Sequence, residues 1–384
     1  MKAPLSQAVD QTCAVIASFA SACDATATFP IDALDAMRTT GLLGLLIPAE
    51  FGGMNGNLDD LVDVTMELGR ADLSAALIFA MHCQQVGVLD RYGALSQREK
   101  ILPPIANGEM YLGSITTSPG TGGHLLTQDS AARTVDGELR IDRRAPIVTG
   151  GNHADAFLVT MGTPEATWPG QVDLIFVHRH QVDLQVLGDW SPLGMRATES
   201  VPMVIAGSVP KDQVIGRSGC FSEMATDYFA PLAHIGWSSA WLGTATGALS
   251  RVLNLIRDPE HRHHFDPRSE LLLTRLASVR GRLEIVYSVL TRSVAAIAGT
   301  TPASNPSVQM LVNTLKLSAS EECVRAVDDL IELVGLRHGY LTGSTLRLER
   351  ALRDLRSASL NYANDRLHVS NGALTLMDSR VHFG

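Results

Sequence analysis

Ile147-Val148-Thr149, Ala156-Phe157-Leu158-Val159-Thr160, Asp173-Leu174-Ile175-Phe176-Val177, Val182-Asp183-Leu184-Gln185-Val186 and Val201-Pro202-Met203-Val204-Ile205 are five short runs parted by turn residues. Runs of this length, rich in β-branched and apolar residues, predict strands, and their close spacing predicts a compact β domain over residues 111–222. Upstream, residues 1–110 carry apolar residues at helical spacing, as in Leu58 to Leu68, with turns expected at Gly52-Gly53 and Pro103-Pro104. Downstream, in residues 223–384, four long helical patterns cover 227–257, 269–298, 306–335 and 345–378. Breaks fall at Asp258-Pro259, at Thr301-Pro302 and from Gly335 to Gly343, and four helices of that length predict a bundle. The expected fold class is α+β: an N-terminal helical domain, a central β domain and a C-terminal four-helix bundle.

The first bundle helix carries Gly236, Ser238, Ser239, Ala240, Gly243, Ala245, Gly247 and Ala248. Small residues in that number predict close backbone approach, in the bundle interior or at an oligomer interface.

At 384 residues, with 45% hydrophobic and 18% charged residues, the chain is too apolar for disorder and long enough for more than one core. A net charge of −9 makes nucleic acid and anionic membrane poor partners. Five scattered cysteines without a CxxC pair point to a reducing compartment and no disulfide framework. The first 24 residues contain one Lys and no continuous apolar segment, so the expected location is cytoplasmic. His261, His263 and His264 cluster without Cys or paired carboxylates at ligand spacing, so no metal is expected there. No GxSxG, P-loop or GxGxxG motif is present.

Several short motifs, taken in order, resemble the acyl-CoA dehydrogenase family of flavoproteins over almost the whole chain. They are Ile47-Pro48-Ala49-Glu50-Phe51-Gly52-Gly53, Gly108-Glu109, Thr117-Ser118-Pro119-Gly120-Thr121-Gly122-Gly123-His124, Ile147-Val148-Thr149-Gly150-Gly151 with Ala154-Asp155, Leu193-Gly194-Met195-Arg196, Val209-Pro210 with Ile215-Gly216, and Arg262-His263-His264-Phe265. The resemblance implies FAD held between the β domain and the bundle, an acyl-CoA or acyl-carrier-protein substrate, and a homodimer or homotetramer. Electron-transfer flavoprotein, oxygen or a reductase is the implied redox partner.

Thr117 and Thr149 match positions that hydrogen-bond the isoalloxazine ring, within a loop whose Gly122 and Gly123 permit close backbone approach. Arg262, with Phe265, matches a turn that reaches the FAD pyrophosphate of a neighbouring subunit. Gly335, with Gly339-Tyr340, resembles a further cofactor segment, and Asn364 is grouped with these positions. Departures from the family pattern are Gly123 for a flavin-contacting Ser, Ile147 for an aromatic near the ring, Asp266 for a Gly and Leu336 for a second Gly.

The family's catalytic carboxylate is missing. Tyr362 stands eight residues after Asp354, where a Glu is usual, and the alternative position on the first bundle helix is Ala233, next to His234. Three readings follow from the resemblance. The first is α,β-dehydrogenation of an acyl thioester with a substitute base, for which Tyr362 and Asp365 are the leading candidates and His234 a third. The second is a flavin monooxygenase of the same fold, which needs no α-proton base. The third is a base-less subunit of a heteromeric dehydrogenase. The segment Asn361 to Leu367 also resembles variants that act on carrier-bound substrates in specialised metabolism.

Overall fold

The computed structural model describes residues 1, 3–119, 125–261, 264–299, 302–378 and 380–383. They form two compact units. The first comprises residues 1–61, 78–191 and 197–233, and the second 62–77, 192–196 and 234–384.

In chain order the helices are α1 (Ala3–Thr26), α2 (Ile31–Thr39), α3 (Leu58–Ala71), α4 (Leu73–Tyr92) and α5 (Leu95–Ala106), and then, after the strands, α6 (Phe221–Met224), α7 (Ala230–Arg257), α8 (Glu270–Ala298), α9 (Pro306–Gly335), α10 (Leu348–Leu355) and α11 (Asn364–Met377). Among them α4 is long and apolar enough to cross a membrane, but 89% of that window is buried, as in a core helix. The expected turn at Pro103-Pro104 is absent, because α5 runs on to Ala106. Each proline lacks only an N–H, and their carbonyls accept the closing bonds from Asn107 and Glu109, after which Gly108, at φ +77°, turns the chain.

The strands belong to the first unit. β1 (Leu112–Ile115), β4 (Ala156–Gly162), β5 (Val172–His178) and β8 (Val214–Ile215) form one sheet in the order β1-β4-β5-β8, parallel only between β1 and β4. β2 (Arg133–Val135), β3 (Glu138–Val148), β7 (Val201–Val209) and β6 (Val182–Val186) form an antiparallel sheet in the order β2-β3-β7-β6. β4 is buried along its whole length, which explains its unbroken apolar run. β3 alternates exposed and buried as far as Ala145. Pro146 cannot donate to the ladder, and the pairing with β7 shifts register between Ala145 and Val148. That bulge leaves Ile147 48% exposed, and it sets up the site described below.

In the second unit, Leu272, Val279, Leu283, Val286, Leu290 and Val294 line the buried stripe of α8, and Val308, Val312, Leu315, Ala319, Cys323, Val327 and Leu330 that of α9. Ser269 caps α8, and Asn305 followed by Pro306 opens α9. The small residues of α7 face the interior: a Cβ on Gly69 would lie 2.6 Å from the Ala240 carbonyl oxygen, and one on Gly243 2.2 Å from that of Met66.

The single helix expected over 345–378 is instead α10 and α11 with a turn segment between them. Ser357 Oγ bonds back to the Asp354 carbonyl at 2.6 Å, and Tyr362 sits in the left-handed region at φ +55°.

Candidate functional site

In the first unit the bulge brings the two candidate threonines to one place. Thr117 Oγ1 donates to the Ile147 carbonyl at 3.1 Å, so its lone pairs remain available as acceptors. Two residues on, Thr149 Oγ1 pairs with Ser200 Oγ at 2.9 Å, and Ser200 with Thr198 Oγ1 at 2.8 Å. A chain of hydroxyls can reverse direction, so Thr149 can donate or accept. An exposed apolar side chain flanked by an acceptor and a reversible hydroxyl fits a flat apolar ring with polar edges, which is the chemistry of a flavin. Gly150, at φ +59°, closes this turn where a Cβ would meet the Phe29 ring at 2.7 Å and Tyr111 Oη at 2.9 Å.

Three further residues support these threonines, and sequence reading missed all of them. Arg143, inward on β3, donates to the Thr117 carbonyl (2.9 Å), to Ser118 Oγ (3.3 Å) and to Thr160 Oγ1 (2.8 Å). Gln128 accepts from Ser118 at 2.6 Å and donates to Thr160 at 2.9 Å. Glu199, at φ +42°, accepts from Phe29 N, Asn152 and His153, tying down the turn after Thr149. A polar residue at an inward strand position was the available signal for Arg143.

The second unit holds the residues at the missing-base position. Met195 N donates to Asp354 Oδ1 at 2.7 Å and Arg353 Nη1 to the Leu193 carbonyl at 3.1 Å. A Cβ on Gly194 would lie 2.1 Å from the Arg353 carbonyl oxygen, so only glycine fits there. The Leu193-to-Arg196 motif and the Arg353-Asp354 pair, far apart in sequence, therefore meet and anchor the turn that carries Tyr362.

Fully buried Lys316 grips the other end of that turn, donating to the Tyr362 carbonyl at 2.8 Å and to Asn364 Oδ1 at 2.7 Å. Burial pushes the Lys316 ammonium down to about 8. Tyr362 is half-buried, with its ring centroid 6.0 Å from that of His234, and burial raises its phenol pKa. Buried His234 is pushed down to about 3, first by desolvation and then by the Lys316 charge, and its Nδ1 has no hydrogen-bond partner among the described residues.

Asp365 is exposed at the start of α11. The Asn364 side-chain oxygen, Oδ1, accepts from Lys316 and from Ser320 Oγ at 3.2 Å. Gly335 is exposed at φ +72°, beyond which the chain makes a single π turn. Phe265 is half-buried. Gly122, Gly123 and Arg262 lie outside the described residues.

Residues 5–109 match the family model for the acyl-CoA dehydrogenase N-terminal domain, and residues 232–361 that for the acyl-CoA dehydrogenase C-terminal domain. The chain is 29% identical to the amino sugar nitrososynthase DnmZ of Streptomyces peucetius, covering 87% of this chain and 83% of that protein. It is 24% identical to the mitochondrial isobutyryl-CoA dehydrogenase of Dictyostelium discoideum, covering 88% and 80%. Among solved structures, TdsC of Paenibacillus sp. A11-2, a dibenzothiophene monooxygenase in complex with FMN and indole, superposes with a TM-score of 0.86 at 20% identity, covering 98% of each chain.

Proposed function

We propose a monooxygenase function for this chain, which belongs to the acyl-CoA dehydrogenase family of flavin oxidoreductases. The observation that carries the proposal is the chemistry at the base position. Removing a substrate α-proton needs a group of matched basicity. The two positions at which the family resemblance implies a carboxylate hold Tyr362, whose phenol pKa is raised, and Ala233, beside a histidine pushed down to about 3. Asp365 faces solvent. Oxygen insertion requires no such base: one oxygen atom enters the substrate, the other leaves as water, and two electrons and two protons are consumed. A bound, reduced flavin supplies those electrons. Thr117 and Thr149 of the first unit orient the ring edge, and Tyr362 of the second stays a neutral phenol. The 29% identity to an amino sugar nitrososynthase agrees with this reading.

Acyl-thioester dehydrogenation is the second reading, favoured by His234 Nδ1, which has no partner among the described residues, and by the likeness to isobutyryl-CoA dehydrogenase. Two additions to the purified protein separate the readings. Anaerobic butyryl-CoA and isobutyryl-CoA leave the flavin band unbleached, whereas a flavin reductase with NADH produces oxygen uptake. Bleaching by either thioester reverses the order of the two readings. Tyr362→Phe changes kcat by less than about tenfold, because a neutral phenol contributes one hydrogen bond worth about 1.4 kcal/mol at most; a larger fall assigns Tyr362 a proton-transfer role.

FAD is the proposed form of the cofactor, on the Arg262 match, and the mass of the flavin released by heat distinguishes it from FMN. A cytoplasmic homo-oligomer served by a reductase completes the proposal.

A further inference from the structure

Arg143 is 1% exposed, on the inward face of β3 between the buried residues Ile141 and Ala145. Its hydrogen-bond partners are uncharged oxygens, and its Nε has no partner among the described residues. Burial pushes the guanidinium down to about 10, offset in part by the charge of exposed Asp129. A buried cation held only by neutral oxygens is expensive, and an apolar side chain would fill this position at lower cost. The cost falls in one place: the guanidinium holds the Thr117 carbonyl and the Ser118 hydroxyl, and through Ser118 and Thr160 it joins Gln128, which is also buried.

We propose that Arg143 is a positioning residue for the flavin, fixing the Thr117 peptide so that its hydroxyl meets the ring edge and placing a buried positive charge behind that edge. The proposal rests on the flavin reading of Thr117 and Thr149. Reduction adds negative charge to a flavin, so a fixed cation nearby favours the reduced form and raises the midpoint potential.

The test measures flavin dissociation constants by fluorescence, and midpoint potentials, for the whole chain and its variants. Arg143→Met is expected to weaken flavin binding by at least about tenfold and to shift the midpoint potential to more negative values. Arg143→Lys keeps the charge but not the fork, and is expected to restore the potential while remaining at least about threefold weaker in binding. Should Arg143→Met fail to fold, Arg143→Lys and Ser118→Ala carry the test. Ser118→Ala loses one bond to Arg143 and is expected to weaken binding without moving the potential. Wild-type affinity and potential in Arg143→Met, or wild-type affinity in Arg143→Lys, overturn the proposal while leaving the flavin reading intact. A wild-type chain that binds neither FMN nor FAD overturns both.

Discussion

Replacing Gly243 with alanine lowers the unfolding free energy by about 2 kcal/mol, the middle of the range for overpacking a tight interior. The new Cβ would lie 2.2 Å from the Met66 carbonyl oxygen, 2.7 Å from Met66 Cα and 2.8 Å from its carbonyl carbon, all backbone atoms of α3 that no rotamer change can move aside. Thr244 Oγ1, which donates to the Gly69 carbonyl at 3.0 Å, is drawn out of reach if the two helices separate. Gly281, in the middle of α8, is the matched control, because a Cβ there meets nothing within 4 Å. Gly281→Ala stabilises by up to about 1 kcal/mol through helix propensity alone. Urea unfolding of both variants checks the pair, and equal effects at the two positions would show that close approach does not govern Gly243.

The second large effect is acid destabilisation. His82 is fully buried, with Nε2 3.0 Å from the Leu43 carbonyl and Nδ1 accepting from Leu112 N at 3.1 Å, an arrangement that requires the neutral ring. Desolvation pushes His82 down to about 4 and His234 to about 3, from an ordinary value of 6.5. As pH falls through 6.5 the unfolded chain takes up protons at both rings and the folded chain does not, so stability is lost with falling pH until the folded values are reached. Each histidine contributes a slope of up to about 1.4 kcal/mol per pH unit. Urea unfolding at about pH 7 and about pH 5 measures the loss, and His234→Phe removes its share of the slope. Stability that is flat or rising over that interval would refute the assignment.

Much of the architecture was legible in the chain because it depends on local pattern. Apolar period and the breaks at Asp258-Pro259, Thr301-Pro302 and Gly335 to Gly343 marked α7, α8 and α9, and short β-branched runs marked the middle strands. β1, β2 and the first part of β3 escaped notice: β2 is too short to show a period, and the first part of β3 carries five charged residues among Leu139, Ile141 and Ala145. Thr117 and Thr149 were identified by family resemblance. What joins them, a bulge forced by Pro146 that offers the Ile147 carbonyl to Thr117, arises from pairing with β7, some 50 residues away.

The sequence by itself determined the fold class from residue type, order and spacing, and, through the motifs that resemble the acyl-CoA dehydrogenase family, the family and the absence of a carboxylate at the position where the resemblance places the base. Tertiary structure alone decided that Lys316 holds the Tyr362 turn, that His234 stays neutral and that Arg143 lies buried beneath Thr117. Those properties depend on which distant groups exclude water from a charge, and no local pattern in the chain records that.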